Sequence, residues 1–380
     1  NKTSTATNFP ENNSPAAFSP VSAESPGTAL NSKIEKVDIS RKTFSTPEPL
    51  LLSCIGPRSI VDDVSAIEII NSWKIQLEKK KAEFISLTGN CDLPDEIVFC
   101  RELCLSNKSY TPNAAKLIAE FVTSGSSSLC SQITSLDISD VIASQPEIDG
   151  LDVLNTFSLA FKDSKLTHIN LSDNAMGSKG IASCKSILSL PTLESLQLCN
   201  NGLSETSMEE VSDILLNSGV CENMKRLHFF NNMSGDGGCT AFARIIQKCS
   251  CKLIDIRFSG TRAQREGSLN VALALGELIC KEGCSIEHLD LADNSFGVKG
   301  AQALASLLIL CKDLKYLDLH DCLLEDEGIR LISDSLLNCY ECLQHLDFSG
   351  NDLTKSATDD IVSVLQKATN LGVFRAEEND

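Results

Sequence analysis

The segment LTHINLSDNAMGSKG, from Leu166 to Gly180, decides the fold because the chain repeats it with substitutions. Related segments include IEHLDLADNSFGVKG from Ile286 and LKYLDLHDCLLEDEG from Leu314. The first apolar positions fall at residues 133, 166, 193, 224, 253, 286, 314, 343 and 371, so successive repeats are 27 to 33 residues long. A period of this length is typical of a solenoid, in which each repeat packs mainly against its two neighbours.

The shared pattern L-x-x-L-x-L-x-x-N-x-L gives each position a structural role. Alternating apolar residues predict a short strand with one buried face. The Asn after the strand can bond backbone groups that no sheet ladder satisfies. Pairs of glycines such as Gly297 and Gly300 precede amphipathic runs, which predicts a helix in each long repeat. These are leucine-rich repeats, and they predict an α/β solenoid (a horseshoe) of about eleven strand-helix repeats, with a parallel sheet on the concave face and helices on the convex face. The predicted ladder after the strands, interrupted at Thr261, is Asn174, Asn201, Asn232, Asn294, Cys322, Asn351 and Asn379.

The chain divides into a polar tail and one repeat domain. Residues 1–33 are rich in Ser, Thr, Asn, Pro and Ala, which predicts disorder. Residues 34–380 form the predicted leucine-rich-repeat domain, with a degenerate capping repeat and helix in 34–99 and regular repeats in 100–380. Within the cap, a helix is predicted from Val61 to Lys81 with Trp73 as its core anchor. Since the chain begins at Asn1 without a methionine, we expect a fragment or a processed form.

Composition excludes several classes of function. The net charge of −18 argues against binding a nucleic-acid backbone and favours a partner with basic patches. No apolar stretch reaches the length of a membrane span, and no signal peptide is visible, so a soluble protein without membrane insertion is expected. Many of the 17 cysteines occupy repeat positions, which favours small buried thiols in a reducing compartment over zinc or other metal sites.

The order of the variant repeats is more specific than the shared pattern. The segments SLDISDVIASQPEIDGL, HINLSDNAMGSKG, LQLCNNGL, LHFFNNMSGDGG, LDLADNSFG, LDLHDCLLEDEG and LDFSGNDLT follow one another in this chain. In this order the chain resembles the Ran GTPase-activating protein family, most of all its plant branch, from about residue 34 to the end. The resemblance implies an enzyme activator without an active site of its own, which accelerates GTP hydrolysis by the small GTPase Ran and so sustains nucleocytoplasmic transport.

The resemblance also implies a mechanism and a residue. Members of this family are understood to orient the catalytic glutamine of Ran with an asparagine amide instead of supplying an arginine finger. By this resemblance that asparagine is Asn200, directly before the ladder residue Asn201. From the residues alone, Asn201 is expected to be internal and Asn200 to face outward, where its amide can donate and accept hydrogen bonds. A simple turn-forming role remains the alternative, since the Asn pair recurs at Asn231.

Other candidate partner-binding residues lie on either side of Asn200. In SDVIASQPEIDGL the family usually carries an arginine where this chain has Gln145. If that arginine helps to dock Ran, weaker binding or slower hydrolysis is expected, whereas activity would be lost if it were a true arginine finger. Strand positions facing out of the concave surface form a predicted column of carboxylates next to a column of rings. This column is interpreted either as a docking strip for a basic partner or as a solvated polar face. The predicted partner-binding residues are Gln145, Asn231, Asp290, Asp318 and Asp347, and the ring column is His288, Tyr316 and His345.

The remaining expectations concern partners and location. No cofactor or metal is expected in the chain, because GTP and magnesium belong to Ran, and the glycine pairs do not continue as a phosphate-binding loop. The expected partner is GTP-bound Ran, with a Ran-binding protein as a second candidate, and the chain is expected to be a monomer. A cytoplasmic location is expected, with the nuclear envelope as an alternative. The competing function is a non-catalytic interaction scaffold of the ribonuclease-inhibitor type, since fold alone does not imply function.

Overall fold

The structure is a computed structural model that describes residues 48–54, 56–89, 98–125 and 128–379. Its central feature is an eleven-stranded parallel sheet in which neighbours along the chain are neighbours in space, in the order β1-β3-β5-β6-β7-β8-β9-β10-β11-β12-β13. Two further strands, β2 and β4, form a small parallel sheet of their own. The strands are β1 (Leu50–Ser53), β2 (Ile60–Val61), β3 (Cys100–Cys104), β4 (Ser109–Tyr110), β5 (Ser135–Asp137), β6 (His168–Asn170), β7 (Ser195–Gln197), β8 (Arg226–His228), β9 (Asp255–Arg257), β10 (His288–Asp290), β11 (Tyr316–Asp318), β12 (His345–Asp347) and β13 (Val373–Arg375).

Helices connect the strands and cover one face of the sheet. They are α1 (Asp63–Thr88), α2 (Pro112–Thr123), α3 (Glu147–Ala160), α4 (Gly177–Ser183), α5 (Lys185–Leu188), α6 (Glu205–Ser218), α7 (Gly235–Lys248), α8 (Arg265–Ile279), α9 (Gly297–Leu308), α10 (Glu325–Leu336) and α11 (Thr358–Lys367), with short 3-10 turns at Leu129–Ser131, Val220–Glu222 and Lys355–Ala357. The predicted α/β solenoid is therefore confirmed. None of the helices in the described ranges is long and apolar enough to span a membrane.

The core lies between the sheet and the helices. In β10 the middle residue Leu289 is buried beneath the helices, while His288 and Asp290 lie on the opposite, open face of the sheet. Every three-residue strand uses this alternation, because successive side chains of a strand point to opposite faces. The residues on the open face are consequently free of core packing, and they form aligned columns from strand to strand.

The asparagine ladder forms as predicted. The amide nitrogen of Asn174 donates to Ile138 O (2.8 Å) and to Leu171 O (2.9 Å), and its oxygen accepts from Val141 N (2.9 Å). The oxygen of Asn201 in turn accepts from Asn174 N at 2.9 Å. Each ladder side chain thus ties its own turn to the neighbouring repeats and satisfies buried backbone groups. Thr261 does not break this chain of contacts, since its hydroxyl donates to the Asn294 side chain at 2.6 Å.

The N-terminal end differs from the sequence prediction in one respect. The strand paired with β3 is β1, a segment for which no repeat was predicted. The tail at residues 1–33 and the capping repeat predicted from Ile34 lie outside the described residues. The predicted cap helix is present as α1, which extends beyond Lys81 to Thr88. Its Trp73 is buried as expected, with the indole nitrogen donating to Ser53 O at 3.2 Å.

Candidate functional site

A ridge of left-handed backbone runs along the edge of the sheet where the strands end. It consists of the third residue after each strand of the eleven-stranded sheet from β3 to β12, and we call these residues the left-handed ridge. Each has φ between 51° and 65°, a region that is comfortable for Gly, Asn and Asp and strained for most other residues. Each backbone N–H donates to a carbonyl of the next repeat, as Asn200 N does to Phe230 O at 3.0 Å. The members are Asn107, Asp140, Asp173, Asn200, Asn231, Gly260, Asp293, Asp321 and Gly350.

Charge is distributed unevenly along this ridge. Asp140 and Asp173 precede the central positions, and Asp293 and Asp321 follow them. Between these acidic pairs the three consecutive positions are neutral: Asn200, Asn231 and Gly260. The backbone conformation explains why small polar residues occur here, but it does not explain the change from carboxylate to amide.

Asn200 is exposed on this ridge while Asn201 is fully buried, which confirms the predicted orientation of the pair. The Asn200 side chain is held from both sides. Its Nδ2 donates to Oδ1 of Asp173 at 2.7 Å, and its Oδ1 accepts from Nδ2 of Asn231 at 3.0 Å. An asparagine amide has two N–H groups and two oxygen lone pairs, so one of each remains for a partner.

Two apolar side chains lie next to these amides and were missed by sequence reasoning. Phe230 and Met233, on either side of the Asn231–Asn232 pair, are 36% and 54% exposed. Met233 extends towards the turn of the preceding repeat, where its Cε lies 3.9 Å from the position a Cβ would take on Gly202. Large exposed apolar groups beside fixed polar groups are a common arrangement in protein interfaces. The available sequence signal was the run HFFNNMS, in which apolar residues continue past the strand.

Gln145 is half-buried in the loop before α3, where its N–H donates to Ile142 O at 3.1 Å. It lines a cavity of about 680 Å³ together with Arg58, Asp173 and Lys179. Arg58 forms an ion pair with Asp140 in the same cavity wall. Asp173 therefore borders the Gln145 cavity and also contacts Asn200, so it links two of the residues singled out from the sequence.

The predicted carboxylate column is present, but two of its members are buried. Asp290, Asp318 and Asp347 align in register on three neighbouring strands. Asp318 and Asp347 are only 7% and 3% exposed. Basic groups of the chain itself are their partners: His320 Nδ1 lies 2.8 Å from Asp318 Oδ1, and Arg375 Nη1 lies 3.6 Å from Asp347 Oδ2.

The pairing is reflected in the pKa values of these groups. The hydrogen bond that His320 donates to Asp318 raises the pKa of His320 to about 9, so the imidazole is charged at neutral pH. Burial alone would raise the pKa of Asp318, but hydrogen bonds from His320 and Tyr316 together lower it. Asp290 differs, because burial followed by repulsion from Asp318 raises its pKa. The column is thus largely neutralised within the chain, which weakens its predicted role as a free acidic strip.

The predicted ring column is also present. The rings of His288 and Tyr316 stack with centroids 3.9 Å apart, and those of Tyr316 and His345 with centroids 4.1 Å apart. Burial lowers the pKa of His288 to about 4.

Among the described residues, one group has a geometry that suits a metal ion: ligand atoms of Asp318, His320 and Asp347 lie within 4.8 Å of one another. The His320–Asp318 ion pair accounts for this proximity without a metal.

Most of the described cysteines follow the sequence prediction, but Cys280 is exposed and one pair is oxidised. Most of the described thiols are free and buried, including Cys184, Cys239 and Cys322. Cys251 and Cys284 instead form a disulfide between the turns that precede β9 and β10. The prediction of small buried thiols is wrong for this pair, because equivalent turn positions of adjacent repeats bring the two sulfur atoms together.

Comparison with known proteins identifies the repeats. A family model described as "Leucine Rich repeat" matches residues 162–183 and 284–305. The repeats are leucine-rich repeats. Both matched segments begin ahead of a sheet strand and end within the following helix, as β6 and α4 do in the first segment.

The leucine-rich-repeat chain is similar to two proteins of Arabidopsis thaliana. It is 45% identical over 94 residues to RAN GTPase-activating protein 1 and 40% identical over 96 residues to RAN GTPase-activating protein 2. These alignments cover 24% and 25% of the chain and 17% of each relative. The resemblance to this family is confirmed over that part, and the chain matches about a sixth of the length of these relatives. It is also 28% identical over 254 residues to the mouse ribonuclease inhibitor, which covers 57% of the chain and 52% of the inhibitor.

Proposed function

We propose that this leucine-rich-repeat chain is a GTPase-activating protein for Ran, and that it acts on the GTP-bound form without an active site of its own. The observation that carries the proposal is the exposed, doubly held amide of Asn200 on the left-handed ridge. The two Arabidopsis relatives, whose names state this activity, support it. A role in nucleocytoplasmic transport, a cytoplasmic or nuclear-envelope location and a monomeric state belong to the same proposal, as does a Ran-binding protein as a second partner.

In the proposed mechanism Asn200 orients the catalytic glutamine of Ran. Its remaining N–H can donate to the glutamine side-chain oxygen, and its remaining lone pair can accept from the glutamine nitrogen. A glutamine held in this way positions the attacking water for in-line hydrolysis of GTP. Magnesium and nucleotide are supplied by Ran, and no arginine finger is required of the activator.

The docking surface in this proposal surrounds Asn200. Asn231 supports the amide, Phe230 and Met233 provide apolar contacts, and Gln145 borders the edge of the surface at the neighbouring cavity. The net charge of −18 suits a basic partner surface. Asp290 is the member of the carboxylate column best placed to add to this attraction, because Asp318 and Asp347 are already paired within the chain.

The test is single-turnover hydrolysis of GTP by preloaded Ran, measured as the concentration of the chain is raised. We expect saturable acceleration. Asn200→Ala should lower the maximal rate by about 100-fold, the usual effect of removing one transition-state hydrogen-bonding group. An absence of acceleration at saturating chain would refute the function, and full acceleration by Asn200→Ala would refute the site.

Asn107→Ala is the matched control. Asn107 is an exposed asparagine of the same ridge with φ 59°, against 51° for Asn200. Alanine in the left-handed region introduces similar strain at both positions, about 1 kcal/mol. We expect Asn107→Ala to leave the maximal rate unchanged, which separates the chemistry of the amide from backbone strain.

A non-catalytic scaffold of the ribonuclease-inhibitor type is the second candidate. The observation that favours it is the extent of the similarity to the mouse inhibitor, more than twice the share of the chain that the Arabidopsis relatives cover. Inhibition of a ribonuclease by the chain, without acceleration of Ran, would support this candidate. We expect the reverse pattern.

A further inference from the structure

The contacts of Asn200 determine which way its amide faces. A carboxylate accepts hydrogen bonds and donates none, so Asp173 requires the nitrogen of the Asn200 amide on its side. The oxygen must then face Asn231, whose own Nδ2 donates to it at 3.0 Å. A terminal amide rotates easily by a half-turn, and that rotation would exchange its donor and acceptor.

We propose that Asp173 is a positioning residue that fixes the orientation of the Asn200 amide, with Asn231 completing the arrangement. This inference rests on the proposed activity towards Ran. If Asn200 orients a glutamine, the unused N–H and the unused lone pair must each face the correct atom of that glutamine. An amide free to flip presents the wrong pair part of the time, and only the fraction in the correct orientation is competent.

The conformation of the ridge does not account for the carboxylate at position 173. Asn107, Asn200 and Asn231 show that asparagine occupies the same left-handed backbone. The backbone contact from Asp173 N to Cys199 O, 2.9 Å long, does not involve the side chain. Asparagine at 173 would therefore fit the fold, but it could offer either a donor or an acceptor to Asn200 and would no longer fix the amide.

Asp173→Asn is the decisive variant in the single-turnover assay with Ran. We expect the maximal rate to fall about tenfold while the half-saturating concentration of the chain changes by less than about twofold. The reason is that the variant keeps the docking surface but loses the charge-assisted hydrogen bond between Asp173 and Asn200, so the Asn200 amide is no longer fixed in one orientation. A purely structural or docking role would instead change the half-saturating concentration.

Asn231→Asp tests the same arrangement from the other side. It replaces the donor that faces the Asn200 oxygen with a carboxylate, which cannot donate and repels that oxygen, so the amide is no longer held in the orientation that Asp173 favours. We expect its maximal rate to fall at least as far as that of Asp173→Asn.

Asp293→Asn is the control for charge and backbone. Asp293 is exposed on the same ridge with φ 52°, and it is separated from Asn200 by Asn231 and Gly260. The variant Asp293→Asn removes the same charge as Asp173→Asn does, and we expect its maximal rate to equal that of the unmodified chain. An equal fall in both variants would overturn the positioning role and assign the effect to net charge.

Side-chain amide NMR of the chain alone gives a readout that does not depend on Ran. The chain is labelled with 15N-asparagine, and the Asn200 signal is assigned by its loss in Asn200→Asp. We expect Asp173→Asn to shift the Asn200 amide signals and to speed their exchange with water, while Asp293→Asn leaves them unchanged. Unchanged Asn200 signals in Asp173→Asn, or full activation by that variant, would overturn the inference and leave the proposed activity standing. Failure of the unmodified chain to activate Ran would overturn both.

Discussion

At the residue scale, two adjacent asparagines have different roles because they occupy different positions in the turn after the strand. The side chain of Asn201 is buried and bonds the backbone groups Asn174 N and Leu171 O, whereas Asn200, one position earlier, is exposed and retains bonding capacity. The difference follows from the left-handed turn, which directs adjacent side chains to opposite sides. Substitutions at ladder and ridge positions should therefore affect different properties.

Asn351→Ala should destabilise the fold without acting on the ridge. The Asn351 amide donates to Leu319 O (2.8 Å) and Phe348 O (3.1 Å) and accepts from Cys322 N (3.0 Å), all out of contact with water. Leaving these buried groups unpaired should lower the free energy of unfolding by about 3 kcal/mol. Urea denaturation followed by circular dichroism measures this change. Asn200→Ala should cost only about 1 kcal/mol in the same experiment, and equal losses would contradict the division between ladder and ridge.

Gln145→Arg tests the departure from the family pattern. The side chain lies beside a cavity that contains the carboxylates of Asp140 and Asp173, so a guanidinium can be accommodated there. If the position contributes to docking, the half-saturating concentration in the Ran assay should fall several-fold with little change in the maximal rate. Gln302→Arg, at an exposed position on α9, adds the same charge elsewhere and should have no effect. An equal improvement by both variants would indicate a nonspecific charge effect.

At the element scale, the strands could be predicted from the sequence more reliably than the surroundings of their open-face residues. The spacing of leucines set the register, and the columns through Asp318 and Tyr316 appear as expected. Their burial was not predicted, because it depends on His320 in the following turn and on Arg375 in the last strand. A pattern within one repeat does not show which cation in a later repeat will cover a carboxylate.

The same limit applies at the two other places where sequence reasoning was incomplete. The segment LLLS at Leu50 has neither alternating apolar and polar residues nor a following Asn. It was therefore not predicted to be a repeat, although it forms β1. The Cys251–Cys284 disulfide depends on two turns that come together only in the folded chain. The exposure of Asn200 could be predicted because its position relative to the ladder is a local property, whereas its contact with Asp173 spans two repeats.

The Asp318–His320 pair makes the stability of the fold decrease as pH rises into the alkaline range. Because the pKa of His320 is raised to about 9 in the folded chain, the stabilisation is fully present below the unfolded value of about 6.5 and is lost as pH rises through about 9. Thermal unfolding should therefore show a fall in Tm between about pH 7 and about pH 10. In His320→Gln this part of the fall should disappear, and an identical pH profile for both proteins would contradict the assignment.

At the scale of the whole molecule, stability is expected to be shared between neighbouring repeats and not across one central core. Trp73 in the cap helix is 1% exposed and packs against Phe121 with ring centroids 6.1 Å apart. Damage at this end should therefore weaken the first repeats and leave the distant ones intact. The region around β10 to β12, which carries the ring column, is expected to be independent of the cap.

Trp73→Ala tests this local behaviour. Removing a buried tryptophan should cost about 3 to 5 kcal/mol in the repeats that it supports. Hydrogen exchange measured by mass spectrometry should become faster in β1, β3 and α2 and stay unchanged in β10 to β12. Ile75→Ala, on the same helix at a side chain that is 71% exposed, should alter neither region. Uniformly faster exchange along the chain would show that the repeats unfold as one cooperative unit.

The left-handed ridge has a further consequence for how such a protein can change its partner. Aspartate and asparagine have nearly the same shape, and both tolerate this backbone, so each Asp or Asn position of the ridge can gain or lose a charge without disturbing the core. Evolution, protein engineering or spontaneous deamidation can therefore rewrite this edge one repeat at a time. The recognition of partners can therefore change independently of folding, and a new binding specificity requires neither a new loop nor a repacked interior.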